Sequence, residues 1–334
     1  MSQPEYLVDV TRGGILESRH RGHAVICDAS GGIVRSWGTP DLTILPRSSC
    51  KMMQALPLVE SGAADAAGLG TRQLALSCAS HNGAAIHSEG VSEWLGGLGL
   101  GEADLRCGPQ EPADIPARDA LIRADEVPCQ LHNNCSGKHA GFLTLNRHLG
   151  GGTEYQEVDH PVQRAAKQAH EETTEETSPG YGIDGCSAPN FACSLHGLGR
   201  AMASFAAART GGGARQDAMV RLREAMCLHP DLVAGEGRAC TSLMRAMDGR
   251  VAVKTGAEAV FVAIIPELKM GVAVKIEDGT TRASECTIAA ILAGLGVLDP
   301  NHPVAKQLLS QPAVNRRGLD VGRVEPAEAL RNWH

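Results

Sequence analysis

An α+β fold, with an antiparallel sheet built from strands at both ends of the chain and sandwiched by helices, is predicted by three observations. Short β-type runs crowd residues 6–37, a second strand pair lies at 259–276, and most of the chain between them repeats its apolar residues at helical spacing. The first four runs are 6–10, 15–18, 23–27 and 33–37, separated by Gly13-Gly14, Gly22 and Gly31-Gly32, residues that favour turning. Helical spacing recurs over 48–62, 87–95, 137–148, 161–175, 195–210, 215–228 and 236–247. Residues 259–265 and 270–276 flank Pro266-Glu267-Leu268-Lys269 as a hairpin, Glu277-Asp278-Gly279 closes it, and one further helix is expected over 283–294. The chain reads as a single domain, 1–334, in which the terminal strands form the sheet and a mainly helical middle covers about 48–250. No linker or repeat interrupts it, and the charge run Glu171-Glu172-Thr173-Thr174-Glu175-Glu176 reads as a solvated helix end.

Composition narrows the function classes. The 334 residues carry a formal charge of −7 without any basic run, so the phosphate backbone of a nucleic acid would be repelled. With only three Trp, three Tyr and four Phe, stacking platforms for bases are not expected either. The first residues have neither a basic nor an apolar segment of the kind that directs export, and no stretch has the length of a membrane span, so a cytoplasmic protein is expected. Eleven cysteines in such a chain read as thiols, some of them near a metal. Cys27, Cys193, Cys227, Cys240 and Cys286 lie in apolar or helical contexts and read as small core residues.

Ser48-Ser49-Cys50-Lys51 is followed in order by Ser80-His81-Asn82 and by Lys254-Thr255-Gly256. That order is the layout of serine acyl-transfer enzymes in which lysine activates the hydroxyl. Ser48 is expected to open a helix whose apolar positions are Met52, Ala55, Leu56 and Val59, so that Ser48 and Lys51 share one face. Free backbone N–H groups at that helix start would favour developing negative charge. Cys50, Met52 and Met53 enclose Lys51, an environment that disfavours the ammonium form of a base. The apolar run 74–78 predicts a strand that exits into the Ser80 loop, and Lys254 follows Val251-Ala252-Val253 at a strand end where Gly256 permits close approach of another backbone. Ser48, Lys51, Ser80 and Lys254 are the expected catalytic residues.

A second constellation consists of Cys135 and Cys186, each in a loop of glycines and polar residues rather than among the apolar neighbours of a core thiol. A Zn²⁺ held by two thiolates would accept a nitrogen donor from His132, Lys138 or His139, and on chemistry alone histidine is favoured.

These motifs resemble the asparaginase II family of the inducible, thermolabile rhizobial type. The matching stretches are 47–53 (Arg-Ser-Ser-Cys-Lys-Met-Met), 77–83 (Ser-Cys-Ala-Ser-His-Asn-Gly), 132–141 (His-Asn-Asn-Cys-Ser-Gly-Lys-His-Ala-Gly), 182–189 (Gly-Ile-Asp-Gly-Cys-Ser-Ala-Pro) and 254–258 (Lys-Thr-Gly-Ala-Glu). The resemblance implies a fold like that of serine β-lactamases and penicillin-binding proteins, a homodimer, and hydrolysis of L-asparagine. It implies the pairs Ser48 with Lys51 and Ser80 with Lys254, and the zinc ligands Cys135, Lys138 and Cys186. It further makes Arg47, Asn82, His139 and Asp184 substrate-binding groups.

Overall fold

The computed structural model describes residues 3–331 and Trp333. They fall into two compact units, the first formed by Met1–Ser49, Cys193–Ala207 and Ser242–His334, the second by Cys50–Ala192 and Ala208–Thr241.

The first unit contains the sheet. Its strands are β1 (Glu5–Arg12), β2 (Ile15–Cys27), β3 (Ile33–Trp37), β4 (Ala252–Gly256), β5 (Val260–Ile265), β6 (Met270–Ile276), β7 (Gln311–Val314) and β8 (Asp320–Pro326). The order across it is β7-β8-β1-β2-β6-β5-β4, with β3 also on β2, and every pairing is antiparallel. The β5–β6 hairpin follows the expected register, with Ile265 opposite Met270. All six β5 residues are buried, as a strand covered on both faces requires. The helix Leu195–Ala207 packs on β6, β2 and β5, and Thr281–Gly294 packs on β8, β6, β5 and β1. Leu195, Leu198, Met202 and Phe205 form the buried stripe of the first helix at its 3.6-residue period. Removing each from water contributes about 1.5–3 kcal/mol.

Two expectations for this unit change. The runs 15–18 and 23–27 are one strand, because Gly22 lies within the ladder, opposite Ile276. A Cβ there would stand 2.6 Å from Lys275 O, so this glycine serves close approach and not a turn. The β7–β8 hairpin goes unread in the sequence, since β7 is mainly exposed and carries Pro312. Proline is tolerated there because β7 is the edge of the sheet.

The second unit is mostly helical. The helix expected over 48–62 is divided into a 3₁₀ turn, Arg47–Cys50, and the short helices Lys51–Gln54 and Leu56–Glu60, with Pro57 in the first turn of the latter, where no N–H is required. The strand expected over 74–78 is a correction of type, since Thr71–Ser77 is a buried helix. A short apolar run of Leu and Ala fits either element, and its lack of β-branched residues tips it to helix. Ile115–Ala124 was invisible to periodicity because none of its residues is buried; Asp114 caps it by accepting from Ala117 N at 3.0 Å. Among the described residues no helix is long and apolar enough to cross a membrane.

In Pro161–Thr174, His170 is buried with its ring 6.2 Å from that of Phe191. Burial is the main cause that pulls its pKa from 6.5 down to about 4. The unfolded chain therefore binds a proton at this position below its ordinary pKa while the folded chain stays neutral. Stability is present above that pKa and is lost as pH falls toward 4, by on the order of 3 kcal/mol at 1.36 kcal/mol per pKa unit. His170→Gln should lose less thermal stability between neutral pH and pH 4.5 than wild type; parallel Tm profiles for the two proteins would exclude His170 as the cause.

Candidate active site

In the first unit, Ser48 occupies the 3₁₀ turn that follows Pro46. The turn is closed by Ser49, whose N–H and hydroxyl donate to Pro46 O at 3.2 and 2.7 Å. Ser48 thus does not open an α-helix, which begins only at Lys51. Arg47 before it has φ +53°, a left-handed backbone that costs a non-glycine residue energy. The strand β4 ends against this turn. A Cβ on Gly256 would lie 2.7 Å from Pro46 O, 2.9 Å from Ser49 N and 3.3 Å from Ser48 N, so only glycine lets the two backbones meet. The close approach expected of Lys254-Thr255-Gly256 is therefore made to the serine turn itself. Lys254 is buried, with its Nζ donating to Thr255 O at 2.7 Å.

In the second unit, the segment before helix Ser136–Leu149 is shaped by its asparagines. Asn133 donates to Cys107 O and Gly108 O, both at 3.0 Å, and accepts from Cys135 N at 2.8 Å. Asn134 N donates to Gln110 Oε1 at 3.1 Å. This side-chain scaffold, an Asx-type turn, holds Cys135 at the N-cap of the helix and sends Lys138 and His139 inward from its first turn. Cys186 arrives from the other direction, at the tip of the hairpin formed by Tyr181–Ile183 and Pro189–Phe191. Its turn is closed by Ser187 N to Asp184 O at 2.8 Å and Asp184 N to Ala188 O at 2.9 Å.

The result is a buried cluster of two sulfurs and two amines. Lys51, 1% exposed, donates to the Cys135 sulfur at 3.1 Å and to Ala79 O, the residue before Ser80. Lys138, 3% exposed, donates to the Cys186 sulfur at 3.0 Å. The hydrogen bond from Cys135 lowers the Cys186 pKa well below the ordinary thiol value, against the opposing effect of burial. The same bond, together with burial, raises that of Cys135. Burial works to lower the Lys138 pKa, but the two sulfurs outweigh it and the net shift is upward. Cys186 is thus the sulfur whose thiolate form is favoured, facing Lys138, while the Cys135 sulfhydryl lies 3.0 Å from Asn134 Oδ1, to which it donates. Elsewhere burial pushes the Cys27, Cys50, Cys107 and Cys227 thiols up to about 12, the behaviour of inert packing residues.

The three zinc ligands implied by the resemblance are therefore brought together. Two thiols and the Lys138 amine form a donor set whose chemistry fits a Zn²⁺ ion. No group of three or more His, Cys, Asp or Glu side chains among the described residues could hold a metal, so a site here needs the Lys138 amine as its third donor. His132, one of the alternatives on chemical grounds, has its Nδ1 engaged by Cys129 N at 3.1 Å.

The remaining sequence-derived residues divide by surroundings. Asn82 is committed within the second unit: its Nδ2 donates to Asp114 Oδ2 at 3.3 Å, its Oδ1 accepts from Ala84 N at 3.4 Å, and Gly235 lies against its amide. Ser80 is buried and its N–H donates to Val233 O at 2.9 Å. Asp184 is half-exposed beside Cys186. His81 is held in one tautomer, accepting from Gly83 N at Nδ1 (3.2 Å) and donating from Nε2 to Ser136 Oγ (3.0 Å). Burial, followed by the neighbouring His87, keeps it neutral far below its ordinary pKa. Sequence reasoning missed the scaffolding residues Asn133, Asn134, Gln110 and Tyr155. The paired asparagines beside Cys135 were the one signal available, since Asn side chains favour such turns.

The family described as L-asparaginase II matches residues 8–326. No curated protein matches the chain. Among solved structures, the chain is similar to a β-lactamase from Mycobacterium bovis at 11% identity and a TM-score of 0.45, over 82% of this chain and 94% of that one. It is also similar to the octameric penicillin-binding protein homologue from Pyrococcus abyssi, at 12% identity and a TM-score of 0.39, over 89% of this chain and 80% of that one.

Proposed function

We infer the reaction from membership: the chain belongs to the L-asparaginase II family, and its proposed activity is hydrolysis of L-asparagine to L-aspartate and ammonia. The observation that carries the reading is the family match over nearly the whole chain. The buried Lys51–Cys135 and Lys138–Cys186 contacts support it as the elements of a working site.

In the proposed mechanism the Ser48 hydroxyl attacks the side-chain amide carbonyl while Lys51, as a neutral amine, takes its proton. Backbone N–H groups of the serine turn hold the oxyanion. Collapse of the tetrahedral intermediate breaks the C–N bond, and Ser80 with Lys254 delivers the proton that releases ammonia. Water then hydrolyses the Ser48 ester to aspartate and restores the hydroxyl. Arg47 is assigned to the α-carboxylate and Asp184 to the α-ammonium, the charge-assisted bonds that fix an amino acid. His139 is assigned to substrate binding as well. Asn82 is likewise assigned to substrate binding, with its amide held by Asp114. A zinc ion held by Cys135, Lys138 and Cys186 would supply a fixed positive charge that organises the pocket. The proposed state is a cytoplasmic homodimer acting on a small molecule.

The direct test is ammonia release from L-asparagine by the purified protein, with and without a chelator, alongside incubation with a β-lactam. Turnover that depends on Ser48 and persists in part after chelation supports the Ser–Lys reading. Turnover retained in Ser48→Ala but lost on chelation would instead identify a zinc-bound water as nucleophile. Stable acylation by the β-lactam with no ammonia release would mean a penicilloyl-binding protein.

A further inference from the structure

The motif Ser80-His81-Asn82 contains one buried side chain to which the proposed mechanism gives no task. His81 makes two ring contacts, and each has only one possible direction. Gly83 N donates to its Nδ1 at 3.2 Å. A backbone N–H can only donate, so Nδ1 carries a lone pair and the hydrogen of the neutral ring is on Nε2. That nitrogen lies 3.0 Å from Ser136 Oγ and donates to it, while the Ser136 hydroxyl gives its own hydrogen to Leu131 O at 2.9 Å. A backbone donor at one end and a backbone carbonyl at the other thus orient the whole relay, and both ring nitrogens are engaged.

The imidazole stands between two segments that the mechanism needs in register. On one side its ring reaches Ser136, the residue after Cys135, and its backbone N–H donates to Asn134 O at 3.2 Å. On the other it follows Ser80, whose N–H donates to Val233 O at 2.9 Å. Its flat face stacks on His87, with centroids 4.6 Å apart and planes at 5°, and His87 Nε2 donates to Asp231 O at 2.9 Å. The Cys135 side is held independently, by Asn133 bonded to Cys107 O, Gly108 O and Cys135 N. Asn82 is held by Asp114. The part that yields when the ring is lost is therefore the backbone of Ser80 and His81.

We propose that His81 is a positioning residue and not a base: its bond to Ser136 keeps the Ser80 backbone in register with the helix Ser136–Leu149, and so places the Ser80 hydroxyl for proton delivery. The task of Ser80 rests on the asparaginase reading; the register of the two segments does not. His81 touches no substrate and acts only through its neighbour's backbone. Smaller changes separate its two bonds. An asparagine Oδ1 replaces Nδ1 and accepts from Gly83 N, as in an Asx turn, whereas a glutamine Nε2 replaces the ring Nε2 and reaches Ser136.

The test compares variants of the full chain. His81→Ala and His81→Asn should lower kcat for ammonia release about 100-fold, the effect of a misplacement of about 1 Å at a reacting group, with KM changed far less. His81→Gln should recover most of that loss. Ser136→Ala should resemble His81→Asn, and the double variant should be no worse than either, because both remove the same bond. A long-range ¹⁵N–¹H spectrum of histidine-labelled protein, with the His81 signals assigned through His81→Gln, should show one species protonated on Nε2. An unchanged kcat in His81→Asn, a glutamine variant no better than the asparagine one, fully additive losses, or a wild-type ring protonated on Nδ1 would each overturn the proposal. Should His81→Ala fail to fold, the asparagine and glutamine variants make the same comparison. If wild type releases no ammonia from asparagine, the substrate reading fails, and hydrogen exchange judges His81: the amides of residues 80 and 81 should exchange faster in His81→Asn than in wild type or His81→Gln, and equal protection in all three would overturn the proposal.

Discussion

Ser48→Ala should reduce kcat for ammonia release by several orders of magnitude while leaving the fold intact. The hydroxyl is the proposed nucleophile, and an alanine in the 3₁₀ turn keeps the closing bonds, which come from Ser49 to Pro46 O. Lys51→Ala should cost a comparable factor in kcat. The double variant should be little worse than either single one, because residues acting as one catalytic unit are strongly non-additive. A double-mutant cycle in which the two losses multiply in full would sink the pairing. The lysine variant should also be the less stable of the two. Its side chain is buried and holds both Ala79 O and the Cys135 sulfur, so truncation leaves an acceptor and a thiol without their donor.

The second large effect concerns the sulfurs. Cys135→Ala and Cys186→Ala should each lose bound zinc, measured by elemental analysis of the purified proteins, and both should bind asparagine more weakly. Cys27→Ala, whose thiol is buried in the first unit and pushed up to about 12, should keep the wild-type metal content. Equal zinc in all four proteins would refute the assignment. The metal-free proteins should also differ in stability. The Cys186 sulfur is the acceptor of the buried Lys138 amine, so its removal leaves that amine without its partner. Cys186→Ala should therefore melt several degrees below wild type even when both are stripped of metal.

The parts of the molecule legible in sequence are those whose signal is local. The β5–β6 hairpin announces itself by two apolar runs around a turn, and the helices Pro161–Thr174 and Ala214–Leu228 by a regular buried stripe. Cys135 and Cys186 stood out by their glycine-rich polar loops, but the choice of Lys138 as their partner came from resemblance, because about fifty residues separate the two cysteines and neither spacing nor composition says that they meet. Chemistry by itself favoured a histidine ligand; in the structure His132 turns to Cys129, while Lys138 reaches a sulfur. Thr71–Ser77 was misread because four apolar residues cannot distinguish a buried strand from a buried helix. Tyr155 lay in a polar, glycine-rich stretch that gives no hint of burial; only the fold reveals that its hydroxyl reaches His139.

The sheet of the first unit has a consequence for the order in which a nascent chain matures. Its central pairing joins β2 to β6, with Ala24 opposite Val274, so the segment that completes the core is synthesised about 250 residues after the one that begins it. Nearly all of the helical second unit leaves the ribosome in that interval. At the usual ~5–20 residues per second, the apolar end of β2, Ala24-Val25-Ile26-Cys27, waits roughly ten seconds or more with β3 as its only strand partner. Closing so long a loop is slow, and an unpaired apolar strand edge is a template for association with other chains. The terminal strands are thus where chaperone dependence and aggregation during expression should concentrate, and loss of β6 would leave the apolar edge of β2 without the strand that covers it.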